Sequence, residues 1–361
     1  MRYTCPSTSI KKSLFRQKAG MKKYAYWNNK GGTGKTSLAF QSVAIFAERN
    51  KQAKILVVDL CPQANISELF LGGLLGKGSE NLLKLQSCSP RKTVGGYFQE
   101  RFTSPYKMPQ EIDVQVFISK PCEFNQNISD NIYLLAGDAL VELQANAIST
   151  LANTQIPGTD TWLNIVDWLN DFIKSLDKDY DYIFVDANPS FSIYTQIALA
   201  AVDSVILPVM ADDSSRRAVQ NAFSLIHGIN LPSPIYSQHN FSSRLSSAGR
   251  ATPQFHVFPK NRLTQYMGAA SGYHSVLKSI DHMISAILSS TPSVFSFNNI
   301  SDGIVELRDF QTTGVVAFAK GLPFTAMKPG KYTMYAGRKT QVKAENLNNC
   351  IESMNRLISK L

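Results

Sequence analysis

The feature that most constrains the fold is a glycine-rich stretch, "NNKGGTGKTS" at residues 28–37, between a strand-like and a helix-like segment. The apolar run "YAYWNN" overlaps its start, and "KTSLAFQSVAIFAERNK" follows with apolar residues at helical spacing. A glycine loop in this position lets several backbone N–H groups converge on phosphate oxygens, and the helix N-terminus adds partial positive charge. The stretch therefore predicts a phosphate-binding loop.

Further apolar runs alternate with helical patterns along the chain. Continuous runs of this kind are typical of strands that are buried on both faces. They are "AKILVVDL", "NIYLLAGD", "DYIFVD", "DSVILPVM" and "FHVFPKNR". The alternation predicts an α/β fold, with a mostly parallel sheet and helices on both faces, in which ligands bind beyond the carboxyl ends of the strands. The closing segment 345–361 has one apolar stripe, which indicates a helix docked on the core.

The two ends of the chain differ in composition. Residues 1–20 carry five basic side chains and no acid. We interpret them as a basic N-terminal extension, poorly ordered and outside the core, with a transit peptide or a DNA-touching arm as alternatives. Residues 21–361 are predicted to form a single domain, since 44% apolar content supports a large core.

The charge balance favours a polyanionic partner. The 37 basic and 27 acidic side chains leave a net charge of +10, which suits nucleic acid or an anionic membrane surface, although it also serves solubility alone. The five cysteines include no CxxC pair, so the sequence indicates neither a disulfide framework nor a metal cage, and a reducing cytoplasm fits best. No apolar run approaches the roughly 18 residues that cross a bilayer.

The pattern of the glycine loop predicts a role for several of its residues. Its glycines supply flexibility, Lys35 can reach the β and γ phosphates of a nucleotide, and the Thr36 hydroxyl can ligate Mg²⁺. The predicted nucleotide-binding set in the loop is Gly31, Gly32, Thr33, Gly34, Lys35, Thr36 and Ser37. The common pattern G-x-x-x-x-G-K-[ST] fails at its first position, because residue 29 is Asn, and a second lysine, Lys30, stands in the loop instead.

With K-G-G-T-G-K-T in this place, the chain resembles the deviant Walker A ATPases of the ParA/MinD group, and within it the ParA-like partition proteins. In that family the early lysine, here Lys30, reaches across a dimer to the nucleotide held by the other subunit. The resemblance implies a P-loop NTPase fold, ATP and Mg²⁺ as cofactors, and a homodimer when ATP is bound. It assigns catalytic roles to Lys30 and Lys35, since cations near the γ-phosphate offset charge on the transferring group.

Three further stretches carry the same resemblance. In "ILVVDLCPQANIS", Asp59 corresponds to the acid that positions or activates the attacking water, although Cys61 replaces a second acid that is frequent in the family. In "DYIFVDANPSFS", Asp186 corresponds to the acid that, with Thr36, holds Mg²⁺. In "PKNRLTQY", the family position suggests that Asn261 and Arg262 lie near the adenine.

The function implied is that of a ParA-like ATPase, cytoplasmic and nucleoid-associated. Its ATP-bound dimer would bind DNA non-specifically to position a plasmid, chromosome or protein cargo, and hydrolysis stimulated by a ParB-type adaptor would reset it. The alternative is a MinD-like membrane-associated ATPase, but Glu345 and Glu352 dilute the basic charge of the last helix. Basic residues of the last third are candidate DNA contacts: Arg244, Arg250, Lys260, Arg262, Lys278, Lys320, Lys328, Lys331, Arg338, Lys339 and Lys343.

A shorter motif, "DDSSRRA", predicts the start of a helix. Asp212 or Asp213 can cap it, with Arg216 and Arg217 in its first turn. The arginine pair could touch DNA, a partner protein or the second subunit, or simply be solvated.

Overall fold

The computed structural model describes residues 20–176, 180–263 and 271–361. Apart from Gly20, the predicted extension 1–20 lies outside the described residues. The helices of the first half are α1 (Lys35–Arg49), α2 (Asn65–Phe70), α3 (Gly78–Gln86), α4 (Val94–Arg101), α5 (Leu140–Asn153), α6 (Thr161–Val166), α7 (Trp168–Ser175) and α8 (Ile193–Ala200). Those of the second half are α9 (Asp213–His227), α10 (Phe241–Ser247), α11 (Ser271–Ser290), α12 (Ile300–Gly303), α13 (Gln311–Lys320) and α14 (Ala344–Ile358).

The strands form one large sheet and one hairpin. They are β1 (Lys22–Tyr26), β2 (Ile55–Leu60), β3 (Ile118–Ser119), β4 (Ile132–Leu135), β5 (Tyr182–Ala187), β6 (Ser204–Ile206), β7 (Gln254–Leu263), β8 (Ile304–Arg308), β9 (Gly330–Thr333) and β10 (Lys339–Val342). The sheet order is β3-β4-β2-β5-β1-β6-β7-β8, and β9 pairs with β10 separately. Within the sheet every neighbouring pair is parallel except β3–β4. The predicted mostly parallel sheet is confirmed.

Helices cover both faces of the sheet, because successive strand residues point in opposite directions. On one face, Ala25 and Trp27 join a core cluster that includes residues of α4 to α11. On the other face, Tyr24 and Tyr26 join a cluster that includes residues of α1 to α3, α13 and α14. The central strands are buried along almost their whole length, which explains why they appear in the sequence as unbroken apolar runs.

The C-terminal helix α14 is docked as its apolar stripe predicts. Leu347, Cys350, Met354, Leu357 and Ile358 are buried in the second core cluster. In the described part of the chain, no helix has both the length and the apolar content needed to span a bilayer.

The sequence prediction differs from the structure in two places. The pattern over 159–178 predicts one helix, but α6 ends and α7 begins around Asp167, whose carboxylate accepts two hydrogen bonds of 2.6 Å from Arg250. The Asp167 side chain makes no capping hydrogen bond and pairs with Arg250 instead, and the apolar spacing alone does not reveal a break at this residue. Strand β8 and the hairpin β9–β10 are short and partly exposed, and the apolar pattern does not predict them.

Candidate functional site

The glycine loop leaves its backbone N–H groups open. It follows β1 and leads into α1, with Gly32 and Gly34 at φ of 75° and 85°. Gly34 occupies the N-cap position and supplies no side-chain cap. In the described part of the chain, no acceptor receives a hydrogen bond from the N–H groups of residues 31–37. A helix N-terminus with unsatisfied donors and a partial positive charge is an anion-binding arrangement.

Lys35 lies inside the loop. Its side chain is largely buried, with 7% of the residue exposed, and Nζ donates to the Lys30 carbonyl oxygen at 3.2 Å. Burial lowers the pKa of Lys35, and the nearby Asp186 carboxylate opposes that effect. The loop therefore encloses the Lys35 amine beside a carboxylate. A phosphate bound in the loop would pair directly with that amine.

Asp186, at the carboxyl end of β5, faces the start of α1. Its Oδ2 accepts a 2.8 Å hydrogen bond from the Thr36 hydroxyl, whereas its Oδ1 is buried and has no hydrogen-bond partner among the described residues. Burial, reinforced by the negative charge of Asp59, raises the pKa of Asp186 to about 7. An unpaired buried carboxylate oxygen is costly unless a cation or donor completes it.

These oxygens fit a magnesium ion. Mg²⁺ prefers oxygen ligands, usually one or two from the protein with the rest from water and phosphate. The orphaned Oδ1 of Asp186 and the adjacent Thr36 hydroxyl meet that description. Within residues 20–176, 180–263 and 271–361, no cluster of three His, Cys, Asp or Glu side chains could hold a metal by itself.

Asp59 lies next to Asp186, because the two residues are in register on β2 and β5. Its Oδ1 accepts from the Cys61 N–H at 3.1 Å, and its Oδ2 accepts from the Ser67 N–H at 3.0 Å and from the Ser67 hydroxyl at 2.7 Å. Burial raises the pKa of Asp59 to about 6, and the Ser67 and Cys61 donors limit the rise. A carboxyl poised near neutral pH can exchange a proton during a reaction.

Cys61 follows Asp59 where the family often has a second acid. The residue is buried, and that burial raises the pKa of its thiol to about 12. The thiol is thus protonated and unreactive at neutral pH, as expected for a small packed side chain.

Lys30 points away from Lys35 toward the N-terminus of α9. Its Nζ lies 2.5 Å from both carboxylate oxygens of Asp212 and 3.2 Å from the Ser215 hydroxyl. Asp212 is also the predicted helix cap, accepting from the Ser215 N–H at 2.7 Å. Partial burial would raise the pKa of Asp212, but the Lys30 ammonium and the capping donors lower it to about 2. In a single chain, the second lysine of the loop has a partner of its own.

Asn261 and Arg262 lie beside the glycine loop at the end of β7. The Asn261 amide donates to the Thr33 carbonyl at 2.9 Å, and Arg262 adopts a left-handed backbone with φ of 59°. A Cβ on Gly34 would stand 2.2 Å from the Asn261 amide nitrogen, and the φ of 85° at this residue disfavours any side chain, so glycine is preferred there. These residues and Ser37 line a cleft of about 900 Å³ whose far wall is the start of α13.

The structure brings most of the predicted residues together. Lys35, Thr36, Asp59 and Asp186 meet at the carboxyl ends of β1, β2 and β5, with Asn261 on the flank. Lys30 belongs to the same loop but is turned toward α9. Sequence reasoning missed Ser67, eight residues beyond Asp59, since no motif marks a serine that bonds a carboxylate from a following helix.

Two residues among the candidate DNA contacts, Lys260 and Arg250, form ion pairs within the protein, which makes them weaker candidates than the other basic residues. Lys260 is 4% exposed and its Nζ donates to Asp281 at 2.8 Å. Arg250 is held by Asp167, as described above. In each case the cation is already compensated by a carboxylate from another element, so a phosphate would have to displace that carboxylate. Arg216 and Arg217 likewise pair with Asp213, although both lie at the surface.

Comparison with known proteins decides the family. A family model described as an AAA domain matches residues 21–233, more than half of the chain. The chromosome partitioning protein ParA of Myxococcus xanthus is 28% identical over 204 residues, and the chromosome-partitioning ATPase Soj of Thermus thermophilus is 28% identical over 196 residues. The chain belongs to the family of ParA-like partition ATPases. The aligned parts cover 56% and 54% of this chain, and 56% and 57% of those relatives, so the chain matches little more than half the length of each.

Solved structures agree with this ParA-like fold. An ATP complex of a Cyanothece McdA variant superposes with a TM-score of 0.55 at 14% identity, covering 94% of this chain and 97% of that one. A Borrelia burgdorferi plasmid partition protein bound to AMPPNP superposes with a TM-score of 0.52 at 14% identity, covering 95% and 100%. At such low identity these structures show the fold that this ParA-like chain shares.

Proposed function

We propose that this chain is a Mg²⁺-dependent ATPase that dimerises around ATP, binds DNA non-specifically in that state, and releases it on hydrolysis stimulated by a ParB-type adaptor. One observation carries the proposal. The glycine loop, Lys35, the Thr36–Asp186 pair and Asp59 converge at the carboxyl ends of adjacent strands, which is the ligand edge of a parallel sheet.

The residues divide the work by their positions. The N–H groups of residues 31–37 and the Lys35 ammonium bind and orient the phosphates, which removes much of the entropic cost of reaction. Thr36 and Asp186 supply the oxygens that would hold Mg²⁺, and the ion, when bound, neutralises charge between the β and γ phosphates. Asp59 accepts or positions a proton of the attacking water, and Ser67 holds its carboxylate in place. Asn261 and Arg262 contact the base side of the nucleotide.

Lys30 is proposed to act in the dimer. When a second copy faces the loop, its own Lys30 leaves Asp212 and pairs with the nucleotide bound in the first copy. This exchange of a carboxylate for a phosphate makes ATP part of the subunit interface and couples ligand binding to assembly.

DNA is the proposed partner of the assembled state. Net charge favours a polyanion, and helix α14 is docked on the core by its apolar side, so α14 is not available as the free amphipathic helix that the membrane-binding alternative uses. Dimerisation would double the phosphate contacts, and each contact strengthens a salt-sensitive, sequence-independent grip. The partition cargo and the adaptor are proposed by family resemblance alone.

The test compares Lys30→Gln with wild type in three assays. We expect the variant to bind ATP as wild type does, to remain monomeric with AMPPNP and Mg²⁺, and to lose turnover. Wild type should dimerise with AMPPNP and then retard an arbitrary DNA duplex at low salt. Normal turnover in Lys30→Gln contradicts the trans-acting lysine. If the protein retards DNA equally with and without bound nucleotide, the proposed nucleotide-dependent switch is contradicted.

A further inference from the structure

A basic β-hairpin lies outside the proposed nucleotide site. Strand β9 pairs antiparallel with β10 across a turn at residues 334–338. The surrounding stretch, residues 310–344, contains no acidic side chain. Its basic residues are Lys320, Lys328, Lys331, Arg338, Lys339 and Lys343. The hairpin is therefore a local concentration of positive charge.

One face of the hairpin presents this charge to solvent. Lys331 pairs in register with Gln341, and Thr333 with Lys339, so these four side chains share a face. All four residues are exposed. We call this surface, formed by Lys331, Thr333, Lys339 and Gln341, the ribbon face. It combines two ammonium groups with two neutral hydrogen-bonding side chains.

The cations of the hairpin have no counter-charge among the residues that the structure describes. Among the described residues, no carboxylate lies within ion-pair distance of Lys328, Lys331, Arg338, Lys339 or Lys343. The contrast with Lys260 and Arg250 is informative, because those two cations are each paired with an aspartate. The hairpin cations remain available to an external anion.

We propose that the ribbon face docks on duplex DNA and is the surface through which this chain binds DNA non-specifically. The proposal rests on the DNA binding proposed above and names the surface responsible for it. The major groove of B-DNA is about 12 Å wide and admits a two-stranded ribbon. Lysines at its edges neutralise phosphates, while threonine and glutamine donate to phosphate oxygens without reading sequence.

The apolar residues of the hairpin favour DNA over an anionic membrane. Membrane-surface elements insert apolar side chains below the headgroups. Here Val342 is buried and Met334 packs against the same core cluster, which leaves Tyr335, 78% exposed, as the large apolar side chain at the tip. A single aromatic ring among unpaired cations suits contact with a nucleic acid.

The hairpin and the nucleotide cleft share a supporting helix. The Thr312 hydroxyl at the start of α13 donates to the Gln341 carbonyl of β10 at 3.3 Å. Thr312 also lines the cleft that Gly34 and Asn261 border. A nucleotide bound in this cleft would therefore lie against the helix that is hydrogen-bonded to the hairpin.

The experiment measures the affinity of an arbitrary duplex for the AMPPNP- and Mg²⁺-loaded protein between about 50 and about 200 mM salt. The double variant K331Q/K339Q should lower the slope of log affinity against log salt by about 0.9 for each lysine removed. The matched control K107Q/K174Q makes the same change of charge at exposed positions on the other side of the sheet. It should keep the wild-type slope, and K331R/K339R should keep it too.

The outcomes distinguish a failure of the ribbon-face proposal from a failure of the proposed DNA-binding function. If wild type binds DNA and the K331Q/K339Q and K107Q/K174Q variants lose affinity equally, net charge accounts for the binding without a role for the ribbon face, and the proposal is overturned. If neither of these two variants changes the slope, DNA is bound by another surface, and the proposal is overturned as well. If wild type ignores DNA in every nucleotide state, the DNA-binding function itself fails. If K331Q/K339Q loses binding to phosphatidylglycerol–phosphatidylcholine vesicles instead of DNA, the ribbon face is a membrane surface.

Discussion

The Lys30 ammonium lies 2.5 Å from both carboxylate oxygens of Asp212, which is also the N-cap of α9 in the same chain. The Lys30 side chain is 22% exposed and that of Asp212 39%. A partly exposed pair contributes at most about 1 kcal/mol, so a nucleotide phosphate can displace the aspartate. In the single chain the pair therefore keeps Lys30 bound to Asp212. It competes with the proposed contact between Lys30 and the nucleotide of the second subunit.

The first prediction concerns a substitution that removes the competing carboxylate. Asp212→Ser removes the carboxylate but keeps a good N-cap residue. We expect this variant to dimerise with AMPPNP and Mg²⁺ at a protein concentration up to about 30-fold lower, since the wild-type dimer must break two such pairs and about 2 kcal/mol corresponds to that factor. Sedimentation velocity over a concentration series measures the shift.

Asp213→Ser is the matched control. It removes one negative charge from the next residue, whose partners are Arg216 and Arg217 and not Lys30. Its dimerisation should stay close to wild type. If the Asp212 and Asp213 variants behave alike, local charge and not the Lys30 pair controls assembly.

A second prediction concerns the acid limb of the reaction. The Ser67 hydroxyl donates to Asp59, so Ser67→Ala removes a donor that lowers the pKa of that carboxyl. Its pKa should then rise further above about 6. Because a general base acts when deprotonated, the rising limb of turnover against pH should move to higher pH. Steady-state ATPase rates between about pH 5 and about pH 8 record it.

Ser353→Ala provides a buried-serine control for this measurement. The Ser353 hydroxyl accepts from the Arg308 N–H and from Arg356, on α14. Its loss should leave the pH limb in place. An unmoved limb in Ser67→Ala would show that Asp59 is not the group that titrates.

The sequence predicts the central sheet well, for a physical reason. Strands such as β2 and β5 are buried on both faces, so their apolar runs are continuous and each ends in an acid. Elements with weaker periodicity escape prediction. Strand β8 alternates between buried and exposed positions over only five residues, and the hairpin contributes a single fully buried residue, Val342. Long-range pairing, not local pattern, stabilises such elements.

The site was predictable where a motif fixes the backbone. The glycine loop and the acids at the strand ends meet as their order implies, because parallel strands bring their carboxyl ends to one edge. Side-chain partners from distant segments were not predictable. Nothing in the sequence connects Lys30 with Asp212, or distinguishes buried Lys260 from a surface lysine, because both depend on how separate elements pack.

A third prediction concerns stability in the absence of nucleotide. The pKa values of Asp59 and Asp186 are raised in the folded protein to about 6 and about 7. Between about pH 4 and about pH 7 the folded state therefore binds more protons than the unfolded state, and the free energy of unfolding falls as pH rises. Asp186→Asn removes its share of this fall, and each pKa unit corresponds to about 1.4 kcal/mol. Urea unfolding at several pH values measures it.

Asp203→Asn is the control for that comparison. The Asp203 side chain is 57% exposed and pairs with Lys23 at the surface, so its loss should leave the slope of stability against pH almost unchanged. At neutral pH, Asp186→Asn should be more stable than wild type, since it no longer buries a charge. Equal pH slopes in wild type and Asp186→Asn would refute the raised pKa.

The last prediction separates a buried from a surface ion pair. Lys260 has a 5% exposed side chain and donates to Asp281, so Asp281→Asn leaves a desolvated ammonium whose remaining ion-pair partner among the described residues is Glu306, 3.9 Å away. Breaking a buried ion pair in this way costs about 3 kcal/mol of folding stability. We expect a smaller loss here, because Asp281 is partly exposed. Asp302→Asn removes the surface partner of Lys360, 3.7 Å away, and should cost at most about 1 kcal/mol. Equal losses in denaturant midpoint would mean that Lys260 is solvated, and it would return to the candidate DNA contacts.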